Sequence, residues 1–201
     1  SDSGSVRFDG QEITRMAPHR IFTLGLVRTF QSPQELGALT VLENLMLVGD
    51  GQTGERVWEN LLRPRRVARE ERDAARRAEA VLQQVDLEAL AYERADSLSG
   101  GQRKLLELGR VLMAGPRMIL LDEPSAGVNP TLARRLSDQI EQIRSELGIT
   151  FLVIEHDMDL VARLCDPVIV MTHGEVLMQG SPDVVLADAG VQEAYLGSQY
   201  R

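Results

Sequence analysis

Two strongly apolar stretches, the unbroken Met118-Ile119-Leu120-Leu121 and Ile149 to Ile154 with Thr150 as its one polar residue, constrain the fold of this chain more than any other feature. A strand that is apolar at every position has no face to offer to water, so a covering layer is required on both sides. Between the two stretches, Asn129 followed by Pro130 reads as an N-cap and a helix-opening proline. Leu132, Leu136, Ile140, Ile143 and Leu147 then recur on one helical face, and Gly148 closes the segment. Strand, helix and strand in this order predict a parallel α/β core with flanking helices.

The rest of the chain is organised around that core. Val6-Arg7-Phe8 and Gln11-Glu12-Ile13 flank the turn pair Asp9-Gly10, which predicts a hairpin. Pro18 opens a short helix to Leu24, Gly25 follows as a C-terminal glycine, and Leu26 to Phe30 reads as a strand ending at Gln31. Thr40 with Glu43 predicts a capped helix over 41–47. Residues 49–65 read as a loop. A charged helix follows over 66–85, with Ala74, Ala78, Val81, Leu82 and Val85 on one stripe. After the second apolar strand come a short helix over 158–164, a hairpin across His173-Gly174, and a last helix opened by Ser181-Pro182. Three segments are expected: 1–48 and 116–201 as two parts of one α/β core, and 49–115 as a helical subdomain.

Composition excludes several function classes. Lys and Arg number 22 against 30 Asp and Glu, a net charge of −8, which argues against a nucleic-acid binder. From 55 to 96, nine arginines mix with ten acidic residues, as on a solvated helical face. Lys104 is the sole lysine, which reads as compositional drift with no bearing on mechanism. Cys165 is the sole cysteine, so neither a disulfide framework nor a thiolate metal site is available, and it reads as a small semi-buried apolar residue. No apolar run approaches the roughly 18 residues of a membrane span. Ser1-Asp2-Ser3-Gly4 has neither a basic nor an apolar leader region and no initiator methionine precedes it. The expectation is a soluble protein of a reducing compartment whose chain is cut at its start.

Chemistry concentrates where the strands end. Met118 to Leu121 runs into Asp122-Glu123-Pro124, delivering two carboxylates to the sheet edge where α/β folds bind ligands. The first acid suits a magnesium shell, and the second can orient or deprotonate a water. Ile149 to Ile154 ends in Glu155-His156-Asp157, where an imidazole can hydrogen-bond a terminal phosphate. His19 and His173 read as ordinary loop histidines. Leu98-Ser99-Gly100-Gly101-Gln102 enters a helix running to about Ala114. There Ser99 can cap, the glycines allow close backbone approach, and the helix N-terminus favours an anion. Gln31 could reach a metal or its water through the amide oxygen.

In combination these residues resemble the nucleotide-binding subunit of ATP-binding cassette (ABC) transporters over essentially the whole chain. Gln31, the signature at 98–102, the strand 118–123, the loop Ser125-Ala126-Gly127-Val128-Asn129-Pro130 and His156 match the family in order. The resemblance implies a P-loop NTPase-like core with a helical signature subdomain, and ATP with magnesium as ligands. It implies that Glu123 is the general base, that His156 contacts the γ-phosphate, and that Asp122 and Gln31 serve the metal. Leu98, Ser99, Gly100, Gly101, Gln102 and Asn129 join the nucleotide-binding set. Its implied partners are a second, identical or paralogous, nucleotide-binding subunit docked head to tail and transmembrane permease subunits, with a periplasmic binding protein engaged indirectly. The implied location is peripheral, on the cytoplasmic face of the inner membrane. Val27-Arg28-Thr29-Phe30-Gln31, Ile154-Glu155-His156-Asp157-Met158 and Glu193-Ala194-Tyr195-Leu196-Gly197 are similar to the importers of branched-chain amino acids.

One departure stands out. A phosphate-binding loop needs Gly, four residues, then Gly-Lys-Ser/Thr. No such stretch occurs in the 201 residues; Gly49 to Gly54 has the first spacing, but Glu55 stands in place of lysine. The expectation is that the phosphate-loop unit and the first strands lie before Ser1, and that the chain alone is inactive. Alternatives are a lipopolysaccharide-export-type or other ABC subunit, and a non-catalytic fragment supplying only its signature. A soluble ABC protein acting on DNA or ribosomes is disfavoured, because only 66 residues separate Gln31 from Leu98.

Overall fold

The computed structural model describes residues 3–29, 36–48 and 64–199, the side chains of 64–67 and 196–199 excepted. Gln31, the end of the strand expected over 26–30, and residues 49–63 of the expected loop lie outside the described residues. The chain opens with a hairpin of β1 (Arg7–Phe8) and β2 (Gln11–Glu12). Asp9 and Gly10 both take positive φ, as a tight two-residue turn requires. Helix α1 (Pro18–Thr23) leads through Gly25 to β3 (Leu26–Arg28). The Gly25 carbonyl accepts from the amides of both Arg117 and Met118 at 2.8 and 3.0 Å, tying this turn to the start of β4 (Met118–Asp122). At φ +88°, and with Arg117 Cγ 2.9 Å from where a Cβ would stand, the position tolerates no side chain.

β3, β4 and β5 (Thr150–Ile154) form a parallel sheet in that order. The register sets Val27 beside Ile119 and Phe151, and Arg28 beside Leu120 and Leu152. The first of these rows joins the core; the second faces the other way. Ile119 and Leu121 pack with Leu136, Ile140 and Ile143 of α5 (Pro130–Leu147), and Phe151 and Val153 lie against the same cluster. The expectation that both strands are covered on two faces holds for only one face of β5. Leu152 is 47% and Ile154 58% exposed, because the described helices pack on the opposite side.

The same core continues into three helices: α2 (Val41–Met46), α3 (Pro64–Gln84) and α4 (Gly100–Met113). The stripe on α3 is buried as its periodicity predicts, with Ala74, Ala78, Leu82 and Val85 nearly inaccessible. Gly109 of α4 leaves room for Leu45, Val81 and Val85, whose nearest atoms would meet an added Cβ at 3.2 to 3.5 Å. Thr40 and Glu43 make the reciprocal cap that the sequence predicts. Asn44 is buried, and its amide bonds the Leu36 amide and the Leu36 and Thr40 carbonyls, a brace that periodicity does not reveal.

After β5 come α6 (Met158–Leu164), the hairpin β6 (Val168–Thr172) and β7 (Glu175–Gly180), then α7 (Pro182–Leu186) and α8 (Ala189–Gln199). The last helix expected after Ser181 is thus two helices, broken at Ala187-Asp188. The Asp188 carboxylate accepts the Val191 amide and starts the second one. Val161, Val168, Val185 and Val191 form a separate small core here. Cys165 is free and half-buried, and burial raises its thiol pKa, in keeping with a packing role.

Candidate functional site

β4 and β5 end side by side, Asp122 opposite Ile154, so the parallel register brings the two acids and the histidine to one edge. Glu123 turns the chain out of the sheet at φ +47°, a left-handed conformation that costs a non-glycine residue of order 1–3 kcal/mol. Its amide donates to the Ile154 carbonyl at 2.9 Å, and its carbonyl accepts from Ala126 at 3.0 Å. The turn is therefore held from the next strand and from its own loop. The Glu123 carboxylate lies 3.8 Å from His156 Nδ1, and both groups are open to solvent.

Asp122 is only 15% exposed and its carboxylate accepts from Arg28, 65% exposed, at 2.7 Å. Magnesium takes one or two protein carboxylates and completes its shell with phosphate oxygens and water. Among the described residues no group of three or more His, Cys, Asp or Glu could hold a metal. Asp122, a single hard oxygen donor whose present partner is an exposed surface arginine, fits that mode of binding and no all-protein cage.

Ser99 caps α4: its hydroxyl accepts the Gln102 amide at 3.4 Å while the Gln102 side chain accepts the Ser99 amide at 2.9 Å. The two glycines have different surroundings. Gly100 has nothing within 4 Å of a would-be Cβ, so its backbone is open to an approaching group. Gly101 is buried against Leu132, whose Cδ2 would lie 2.1 Å from such a Cβ. Leu98 is buried beneath them. Asn129 caps α5 through a 2.9 Å bond from the Leu132 amide, so the packing of Leu132 on Gly101 joins the cap of one helix to the start of the other. The structure thus brings together Asp122, Glu123 and His156, and separately Leu98 to Gln102 with Asn129.

Two residues at the site escape sequence reasoning. Glu155 has a fully buried side chain that accepts amides from Ser125 at 2.8 Å, His156 at 3.0 Å and Asp157 at 3.4 Å. Lys104, set aside as compositional drift, lines a cleft with Thr29, Glu107, Asp122 and Glu123, and donates to the Pro124 carbonyl at 2.7 Å. Burial pulls its ammonium below the usual lysine range, with Glu107, Glu155 and Glu123 acting in the opposite sense. A lone lysine on an acidic chain was the available signal.

Residues 1–126 match the ABC transporter family. The chain belongs to that family. Members bind and hydrolyse ATP and work in transporter complexes with permeases. This ABC chain is 39% identical over 199 residues to a probable branched-chain amino acid transport ATP-binding protein LivG of Archaeoglobus fulgidus, covering 99% of the chain and 76% of that protein. It is 37% identical over 194 residues to the high-affinity branched-chain amino acid transport ATP-binding protein BraF of Pseudomonas aeruginosa, covering 96% of the chain and 76% of that protein. A crystal structure of the ADP conformation of an ATP-binding cassette superposes with a TM-score of 0.81 at 40% identity, covering 98% of this chain and 78% of that one. The three-stranded parallel sheet and the helices around it are thus those of an ABC cassette. Among the described residues no helix is long and apolar enough to cross a membrane.

Proposed function

We propose that this chain is the ATP-hydrolysing subunit of an importer of branched-chain amino acids, working as a head-to-tail dimer beneath transmembrane permease subunits on the cytoplasmic face of the membrane. A periplasmic binding protein would deliver the solute without touching this subunit. The relatives' names support the solute class; the observation that carries the chemistry is the 3.8 Å approach of Glu123 to His156 beside Asp122 at one sheet edge.

In this reading the Glu123 carboxylate takes a proton from the water that attacks the terminal phosphate. Its left-handed backbone turns it clear of the sheet toward the space in front of His156. His156 donates a hydrogen bond to the same phosphate, its ring being exposed and so accessible to it. Asp122, with Gln31, would hold magnesium, which when bound neutralises phosphate charge. Residues 98–102 and Asn129 face nucleotide held by the partner subunit: the open amide edge at Gly100 and the α4 N-terminus favour an anion there. The helical segment 49–115 carries that signature as a subdomain on the core formed by 1–48 and 116–201. Lacking a Gly-Lys-Ser/Thr loop, the 201 residues alone are read as catalytically silent.

The test is Glu123→Gln in a transporter assembled with this subunit extended to carry a phosphate-binding loop. Hydrolysis should fall by about 10²–10⁴-fold, the contribution of a general base, while the nucleotide-bound dimer persists. An unchanged turnover would remove Glu123 from the role.

A further inference from the structure

One peptide unit beside the proposed base is held at both ends by charged side chains. The carbonyl of Pro124 accepts from Lys104 Nζ at 2.7 Å, and the amide of Ser125, the other half of the same peptide bond, donates to Glu155 at 2.8 Å. The two side chains come from different parts of the fold: Lys104 from α4, two residues after the signature, and Glu155 from the loop that begins directly after β5. We propose that Lys104 and Glu155 are positioning residues for ATP hydrolysis, clamping the Pro124–Ser125 peptide from both ends and thereby fixing Glu123 relative to His156.

Bonds to ionised groups are shorter and roughly twice as strong as neutral ones, and a cation on the oxygen with an anion on the N–H polarises the peptide cooperatively. Glu155 also accepts the amide of His156, so one buried carboxylate sets both the loop after the base and the backbone of the histidine. Glu123 sits in a left-handed conformation that persists only while its surroundings over-determine it, and the clamped peptide begins one residue later. Lys104 and Glu155 hydrogen-bond backbone groups of the two loops. They act through Glu123 and His156, and Lys104 additionally makes the signature helix part of the same framework.

The inference rests on the proposed role of Glu123 and is tested beside it, in the assembled transporter. Lys104→Met and Glu155→Gln should each lower kcat by about 10–10²-fold, the scale of a misplaced catalytic group, with KM for ATP changed by less than about two-fold. Because both act on one peptide, the double variant should be about as slow as the worse single one. Lys104→Arg, which keeps a cation within reach, should recover most of the rate. In ¹⁵N–¹H spectra of the 201-residue chain, Lys104→Met should shift the Ser125 amide, although its side chain bonds the far end of the peptide. Wild-type kcat in Lys104→Met and Glu155→Gln, alongside a silenced Glu123→Gln, would overturn the clamp and leave the base in place. Multiplying kcat losses, or a Lys104→Arg protein as slow as Lys104→Met, would also overturn it. If Glu155→Gln does not fold, the lysine variants and the Ser125 resonance decide alone.

Discussion

Replacing Gly101 with alanine would place a methyl group where Leu132 already stands. The new Cβ would lie 2.1 Å from Cδ2, 2.5 Å from Cδ1 and 2.8 Å from Cγ of that leucine. Apolar carbons rest about 3.5–4.0 Å apart, so Leu132 would have to retreat by roughly 1.4 Å from the closest contact alone. Rotating the terminal methyls cannot achieve this, since Cγ is crowded too. Overpacking of this kind costs about 1–3 kcal/mol, against a helix-propensity gain of at most about 1 kcal/mol for glycine to alanine. Gly101→Ala should therefore destabilise by up to about 2 kcal/mol. In a Leu132→Ala background the obstructing atoms are gone, and the same substitution should become neutral or stabilising by up to about 1 kcal/mol. Urea unfolding of the four proteins in the cycle measures the coupling. A Gly101→Ala effect equal in both backgrounds within about 0.5 kcal/mol would refute the reasoning. Gly100→Ala is the control: with nothing within 4 Å, it should leave stability unharmed.

Two further outcomes follow from the helix caps. Asn129→Ala removes the side-chain bond to the Leu132 amide and should cost about 1 kcal/mol in thermal unfolding, whereas Asn129→Asp should keep it; equal loss in both would discount the cap. The Glu43 carboxyl is held below its usual 4.5 by bonds from the Thr40 amide and hydroxyl, so its contribution is present above that pH and lost as pH falls through the lower folded-state value. The stability difference between wild type and Glu43→Gln should shrink on acidification below 4.5; a difference constant on both sides of 4.5 would show the charge to be idle.

The sheet and its helices were legible because each is written as a local period. Apolar runs at 118–121 and, Thr150 apart, 149–154 gave parallel strands, and the stripes on α3 and α5 gave the faces that are buried, except that Leu147 at the end of α5 is 46% exposed. Caps at Thr40, Ser99 and Asn129 were legible for the same reason, since donor and acceptor lie three residues apart. What stayed hidden depends on residues distant in sequence. The difference between Gly100 and Gly101 is made by Leu132, some thirty residues on. Lys104 bonds Pro124, twenty residues on, and Glu155 bonds Ser125, thirty residues back, contacts that no local period of the sequence records. The exposed second face of β5 was missed because an apolar run states what a strand prefers and carries no record of what covers it.

The arrangement at the sheet edge explains why Glu123 can sit at the end of a strand in an unfavourable conformation and still be held. Three consecutive residues of one segment act on two residues of the facing loop, Glu123 and Ser125. Ile154 accepts the Glu123 amide, Glu155 accepts the Ser125 amide, and His156 faces the Glu123 carboxylate. The parallel register of β4 and β5 makes this possible, because it starts the two loops at the same height, Asp122 level with Ile154. A one-residue slip would detach both amides from their acceptors and turn the histidine away from the acid. The tight coupling of register to chemistry places Glu155 at its centre: it is the one side chain of the three that touches both loops, and its complete burial keeps water from competing for either bond.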